Sequence, residues 1–256
     1  MRRLGNIFKA DNKTVIVAMD HGLGLDVLPG MKDTSGIITS IVKGGADAVL
    51  AGYGMSRNFS KELMGTGLVL RVDGSNSSLS TYQTGNRFLD PEDAIREGAD
   101  CIACMGFPGA VNEIDTLGNI SELSAESHGW GLPVLAEMLP GGFSSEPPKT
   151  VENVRLAARI GAELGADIIK IPYVGSVSEF RTIVEGCFKP VIVLGGAKVN
   201  NLQELFELVE RAMESGACGV AIGRNIWKHS DPGAVTSALV EIVHDERNAS
   251  EVGKNI

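Results

Sequence analysis

Short runs of Val, Ile, Leu and Ala alternate with longer amphipathic stretches along the whole chain. The apolar runs predict strands at Thr14–Met19, Asp47–Leu50, Gly67–Val72, Ala99–Met105, Pro133–Glu137, Asp167–Ile171, Pro190–Leu194 and Cys218–Ile222. They are apolar on both faces, the pattern of parallel strands covered by helices on either side. Between them the spacing predicts helices near Thr34–Lys43, around Ala94–Glu97, up to about His128, over Val151–Leu164 with Thr150 as N-cap, near Val177–Gly186, over Leu202–Ser215 and over Ala234–His244. The reading is eight strands in alternation with helices, taken as eight in all although no range is assigned to the helix after the second strand.

A weak internal repeat closes this alternation into a ring. Gly45-Ala46-Asp47, Gly98-Ala99-Asp100, Gly165-Ala166-Asp167 and Gly216-Ala217-Cys218 recur at spacings of 53, 67 and 51 residues. Each lies where a helix gives way to an even-numbered strand, and glycine there ends the helix in a left-handed cap. Four βαβα units therefore tile the chain, as expected of a single α/β domain, a (β/α)8 TIM barrel over residues 1–256. An open doubly wound sheet is the alternative. No linker divides the chain, and the segment after Asp245 is polar.

Composition supports a globular enzyme-sized domain: 256 residues, 43% hydrophobic and 21% charged. The formal net charge of −9, with no concentrated basic patch, argues against a nucleic-acid partner. No apolar run reaches the ~20 residues of a membrane span, and Arg2, Arg3, Asn6 and Lys9 leave no apolar signal region. A cytoplasmic protein with no membrane partner is expected. Cys101 and Cys104 have a C-x-x-C spacing, but inside a strand they point to opposite faces and read as small buried residues. The chain has four histidines, His21, His128, His229 and His244, and no obvious zinc-ligand set. No metal and no cofactor are expected.

Barrel enzymes place their chemistry at the C-terminal ends of the strands. There this chain carries Asp20-His21, Arg71-Val72-Asp73-Gly74, Glu137, Lys170, Gly195-Gly196 and Gly223-Arg224. Lys170 stands between isoleucines in a central strand. A buried ammonium must be paired or have a lowered pKa, and a lysine that is partly neutral attacks carbonyl carbon. The structural alternative is a lysine turned outward or paired with Glu137 or Asp20. The glycine pairs after strands seven and eight suit a phosphate held by backbone N–H groups, with Arg224 adding charge. Asp20 reads equally as a proton carrier or a capping aspartate; His21 reads more readily as structural, and its functional reading is substrate or phosphate binding beside the glycine pairs. Glu137, Asp73 and Tyr173 are further acid–base candidates with comparable structural readings.

These segments together resemble the archaeal-type class I aldolases, a DeoC/FbaB-like family, across nearly the whole chain. The resemblance is carried by the run from Thr14 to Asp20-His21-Gly22, by Gly165-Ala166-Asp167-Ile168-Ile169-Lys170, by Gly195-Gly196 with Lys198, and by Gly223-Arg224-Asn225-Ile226. It implies Lys170 as the Schiff-base lysine and Asp20 as the acid–base group. It implies Gly195, Gly196, Gly223 and Arg224 as phosphate ligands, and a homo-oligomer, often a decamer. Family members include fructose-bisphosphate aldolases, an aminodideoxyheptulosonate synthase and an autoinducer-2 phosphate thiolase. One departure matters. The aldolase and synthase members carry Tyr-Pro-Arg-Gly after strand five, with the tyrosine as proton donor; here the stretch is Leu139-Pro140-Gly141-Gly142. Glu137 or Tyr173 would then be the replacement acid, or the reaction differs. Arg71–Ser77 and Ile183–Cys187 lean toward the thiolase-like branch.

The sequence therefore points to a class I aldolase-type enzyme that makes or breaks a carbon–carbon bond in a phosphorylated ketose or related carbonyl compound. The alternatives are a thiolase or acyl or ketol transferase using the same lysine, a non-catalytic sugar-phosphate-binding protein, and an FMN-dependent oxidoreductase.

Overall fold

The protein is described from a computed structural model covering residues 1–27, 30–74, 77–79, 85–144, 146–196 and 201–253. Eight parallel strands close into a barrel: Thr14–Ala18, Ala48–Ala51, Gly67–Arg71, Cys101–Gly106, Val134–Met138, Ile168–Pro172, Val191–Leu194 and Gly219–Ile222. They follow one another around the ring in chain order, and the first pairs with the eighth through Thr14 and Gly219. The open doubly wound sheet is thereby excluded.

Period-two alternation sorts every strand into an inner and an outer face. Ile16, Ala18, Ala48, Leu50, Val69, Cys101, Ala103, Leu135, Ile168, Ile192 and Ala221 pack together inside the barrel, and Ile7 joins them. Cys104 belongs instead to the larger apolar layer between strands and helices. The two cysteines of the C-x-x-C spacing thus face opposite ways, and both are free.

The internal repeat has a physical cause in the structure. Gly45, Gly98, Gly165 and Gly216 all have φ between +73° and +101°, the left-handed turn that ends each helix. Two residues on, the backbone N–H of Asp47, Asp100, Asp167 and Cys218 donates to the carbonyl of Val15, Leu68, Val134 and Val191. The three aspartates also return a bond. Their carboxylates accept the N–H of Val15 at 2.6 Å, Leu68 at 3.1 Å and Val134 at 3.0 Å. Each aspartate therefore pins the start of an even strand to the start of the odd strand before it. Cys218 keeps the backbone bond alone.

Two of these aspartates recruit histidines. His244, the last residue of the helix Pro232–His244, holds Asp47 through Nε2 and Asp11 through Nδ1, each at 2.8 Å. The hydrogen bond to Asp47 raises the His244 pKa, burial opposes it, and Asp11 adds to the rise. A folded-state pKa above the unfolded value contributes stability that is complete below the unfolded pKa, about 6.5. That stability is lost as pH rises through the folded pKa. His244→Ala should therefore lower the melting temperature more at pH 5.5 than at pH 8.5; an equal loss at both would refute the linkage.

The structure adds elements that the sequence reading did not name, among them the helix Tyr53–Asn58 after the second strand. Asp73–Gly74 pairs antiparallel with Asn86–Arg87 as a small ribbon beyond the third strand. A four-residue helix, Arg224–Trp227, follows the eighth strand. The polar tail forms a further turn of helix, Ala249–Val252, because Ala249 and Val252 supply an apolar face that is buried.

Candidate active site

The inward face of each strand continues past the apolar interior into a charged layer at its C-terminal end. Two residues beyond Val69 stands Arg71, two beyond Leu135 stands Glu137, and two beyond Ile168 stands Lys170. Glu137 and Lys170 are register partners on adjacent strands. The first strand ends at Ala18, and Asp20 opens the turn of 3-10 helix Asp20–Leu23 that follows.

Lys170 is 4% exposed, and its Nζ lies 3.0 Å from Glu137 Oε1. The other carboxylate oxygen of Glu137 accepts from Arg71 Nη2 at 2.5 Å. Arg71 donates through Nε to Asp20 Oδ2 at 2.8 Å and through Nη1 to Asp73 Oδ1 at 3.4 Å. Asp73 Oδ2 in turn accepts the Met105 backbone N–H at 2.7 Å. Two cations and three carboxylates thus form one connected, mostly buried network.

Their protonation follows from these neighbours. Burial pushes the Glu137 carboxyl up, but Lys170 and Arg71 outweigh it and hold it at about 2. Burial wins at Asp73, which is pushed up to about 6 although Arg71 and the Met105 N–H favour its anion. Arg71 is the reverse case: burial disfavours its charge, and Asp20, Glu137 and Asp73 together raise its pKa well above the usual value. Burial lowers the His21 pKa; Asp20 works against this, and Lys170 and Arg224 add to it, so the ring is neutral at pH 7.

His21 stands edge-on to Trp227, ring centroids 5.5 Å apart, with its Nδ1 3.8 Å from Asp20 Oδ1. It also lies against Gly223, where an added Cβ would come within 2.4 Å of the imidazole and of the Ala18 carbonyl. Only glycine permits that approach. Across the loops, Arg224 Nη2 donates to the Gly196 carbonyl at 2.9 Å and Asn225 Nδ2 to the Gly195 carbonyl at 3.1 Å. Gly196 has φ +62°. Gly195, Gly196, Gly223 and Arg224 are therefore brought together at the mouth beside His21. Lys198 lies outside the described residues, as do Ser75 and Asn76 of the Arg71–Ser77 segment.

Two expectations change. Tyr173 does not reach the lysine. It has the outward parity of Ile169 and Ile171, its ring packs on Phe180 at 4.7 Å with Arg211 over it at 5.9 Å, and its hydroxyl is buried without a partner. Glu137 is close enough to be the replacement acid but is held ionised. In the resting site it is the counter-ion of Lys170, able to receive a proton rather than give one. Leu139, one inward position beyond Glu137, packs with Met105 and Phe107, and Leu194 lies against them. The position where the family's tyrosine would stand is an apolar wall.

Arg71 is the residue to which sequence reasoning gave no role. The signal was present: like Lys170, it is a cation inside an otherwise apolar strand, Leu68-Val69-Leu70-Arg71-Val72. What could not be read was that it meets three carboxylates. Among the described residues, no group of three or more His, Cys, Asp or Glu is arranged to hold a metal ion, and no helix is long and apolar enough to cross a membrane.

Comparison with known proteins gives the same picture. The 2-amino-3,7-dideoxy-D-threo-hept-6-ulosonate synthase of Halobacterium salinarum is 32% identical over 242 residues, 94% of this chain and 90% of that protein. A synthase of the same description from Archaeoglobus fulgidus is 34% identical over 255 residues, covering 98% and 93%. A Schiff-base-forming fructose-1,6-bisphosphate aldolase superposes with a TM-score of 0.87 at 28% identity, covering 95% of this chain and 99% of that one. An archaeal fructose-1,6-bisphosphate aldolase whose catalytic lysine is covalently bound to the carbinolamine intermediate superposes at 0.86 with 27% identity, covering 94% and 98%. Residues 14–229 match the family model of these aldolases, a span that holds all eight strands and the whole Lys170 network. On fold and sequence, the chain belongs to the DeoC/LacD family of aldolases.

Proposed function

We propose that the protein makes or breaks a carbon–carbon bond in a phosphorylated ketose or related carbonyl compound through an imine on Lys170. The observation that carries this is the Lys170–Glu137 pair, 3.0 Å apart at the mouth of the barrel and tied through Arg71 to Asp20. In this reading a phosphate sits against Gly195, Gly196, Gly223 and Arg224, with neutral His21 beside them. Remote binding there holds the carbonyl over the lysine. Lys170 gives its proton to Glu137 and attacks the carbonyl carbon. The carbinolamine then loses water, and the resulting iminium accepts the electron pair of the adjacent breaking bond. Asp20, less enclosed than Arg71, takes the hydroxyl proton of the departing fragment. Synthesis runs through the same steps in reverse.

The proposal extends to a homo-oligomer, by family resemblance, and to a place in the cytoplasm, in keeping with the net charge of −9. Family membership and the intact charge network favour an enzyme over the binding-only and flavin readings. A second outcome on the same lysine, acyl or ketol transfer as in a thiolase, draws support from one observation. Leu139 and its apolar neighbours put no proton donor at the end of the fifth strand.

Borohydride reduction in the presence of a panel of phosphorylated ketones tests the reading. A mass gain equal to one reduced adduct, mapped by peptide mass spectrometry to Lys170, is the expected result, and its mass identifies the bound fragment. Tight binding of a phosphorylated ketone, seen as thermal stabilisation, with no adduct at Lys170 would sink the Schiff-base mechanism.

A further inference from the structure

We infer that Arg71 is a positioning residue for the Lys170 reaction: its fork fixes Glu137 against the lysine and holds Asp20 on the other side of the mouth, with Asp73 as its buried anchor. The inference rests on Lys170 being the imine-forming amine.

Arg71 presents 2% of its side chain to solvent, less than Asp20 at 14% or Glu137 at 13%. It lies behind the carboxylates that face the mouth and acts through them. A guanidinium does not titrate in this environment, so it carries no proton. What it offers is a rigid plane of N–H groups. Nε engages Asp20, Nη2 engages one oxygen of Glu137, and Nη1 engages Asp73. That leaves the other oxygen of Glu137 for Lys170. Asp73 is anchored independently by the Met105 N–H, which belongs to the fourth strand. The third, fourth, fifth and sixth strands and the turn after the first are therefore locked together through one side chain.

Among the described residues, the charged and titratable groups around the lysine are Asp20 and His21 after the first strand, Arg71 and Asp73 at the third, Glu137 on the fifth and Arg224 after the eighth. The seventh strand contributes Ile192 and Leu194, which carry no charge. Within this set, removing Arg71 makes the surroundings of Lys170 more negative and holds its proton more firmly. Removing the charge of Asp73 does the opposite. A residue that merely stabilises the barrel would produce neither shift.

The test uses pentane-2,4-dione, a substrate-independent probe of a reactive amine. The lysine nitrogen attacks one carbonyl carbon, water leaves, and a proton shift gives a conjugated enaminone that absorbs in the ultraviolet. The rate of its formation against pH is measured for the wild type, with the rate of Lys170→Ala subtracted as background. Asp73→Asn should move the rise of the profile to lower pH and Arg71→Met to higher pH, each by about one pH unit. Arg71→Lys keeps the charge but loses the fork, so its profile should stay in place while the plateau rate falls about tenfold or more. Should Arg71→Met not fold, Asp73→Asn, which retains an acceptor for the Met105 N–H, decides the question alone. Profiles of Asp73→Asn and Arg71→Met that coincide with the wild type overturn the role of Arg71 and leave the Schiff-base reading intact. A wild type that gives no Lys170-dependent enaminone overturns both.

Discussion

Lys170→Ala should lower carbon–carbon cleavage by about 10⁴-fold or more, because the covalent route is lost with the nucleophile. The variant should nevertheless fold, and the reason lies in its neighbours. Removing one partner of a buried ion pair is usually severe, since it strands the other charge. Here Glu137 keeps Arg71 at 2.5 Å, so no carboxylate is left without a cation. The network does lose one of two positive charges against three negative ones. Asp73, already pushed up to about 6, is the group placed to take up a proton in response. The loss in melting temperature should accordingly be a few degrees (about 2–4 °C per kcal/mol at this chain length) and smaller at pH 5 than at pH 8. Turnover with a substrate identified by trapping, together with a melting curve at each pH, checks both parts. Residual activity within tenfold of the wild type would exclude Lys170 as the nucleophile.

Gly219→Ala should be the most damaging single methyl in the barrel, at about 3–5 kcal/mol. Gly219 has φ +135° and stands at the seam where the eighth strand pairs with the first. A Cβ there would lie 2.0 Å from the carbonyl oxygen of Thr14 and 2.8 Å from its nitrogen. Both are backbone atoms in the register pair that closes the ring, so neither can turn aside as a flexible side chain would. The melting temperature should fall by on the order of 10 °C. Gly98→Ala separates the two causes of this loss. Gly98 has φ +73° with nothing within 4 Å of a new Cβ, so it carries the conformational cost alone, about 1–2 kcal/mol. Equal losses at the two positions would mean that contact at the seam contributes nothing. The first and eighth strands also lead into Asp20 and into Gly223-Arg224, so a loosened seam should weaken phosphate binding in whatever Gly219→Ala protein remains folded.

The barrel was legible in the sequence because its signals are local and repeated. Runs such as Ala48–Ala51 and Val191–Leu194 are apolar on both faces, and the left-handed glycines 45, 98, 165 and 216 mark the entry to every second strand. Polar residues at the strand ends are few, so Lys170, Asp20 and the glycine pairs stood out against an apolar background. The signals that failed were of a different kind. Tyr173 was near Lys170 in the chain, but strand parity turns it into the layer between strands and helices, against Phe180. Short separation along a strand says nothing of shared direction when the offset is odd. The helix at Ala249–Val252 was hidden because its support comes from elsewhere in the chain: Glu210, on the helix Leu202–Glu214, accepts the Ala249 N–H at 3.2 Å.

By itself the sequence determined the ring of eight strands and the lysine within the sixth of them, because periodicity and residue type are local properties. Tertiary structure alone decided which charges meet. Arg71, Asp73, Glu137, Lys170 and Asp20 come from three barrel strands, the ribbon beyond the third and a turn, spread over 150 residues of chain. Their protonation depends on distances of about 3 Å and on exclusion of water, which only closure of the barrel fixes. That is why Glu137, an acid on paper, rests as an anion, and why an arginine with no assigned role in the sequence holds the site together.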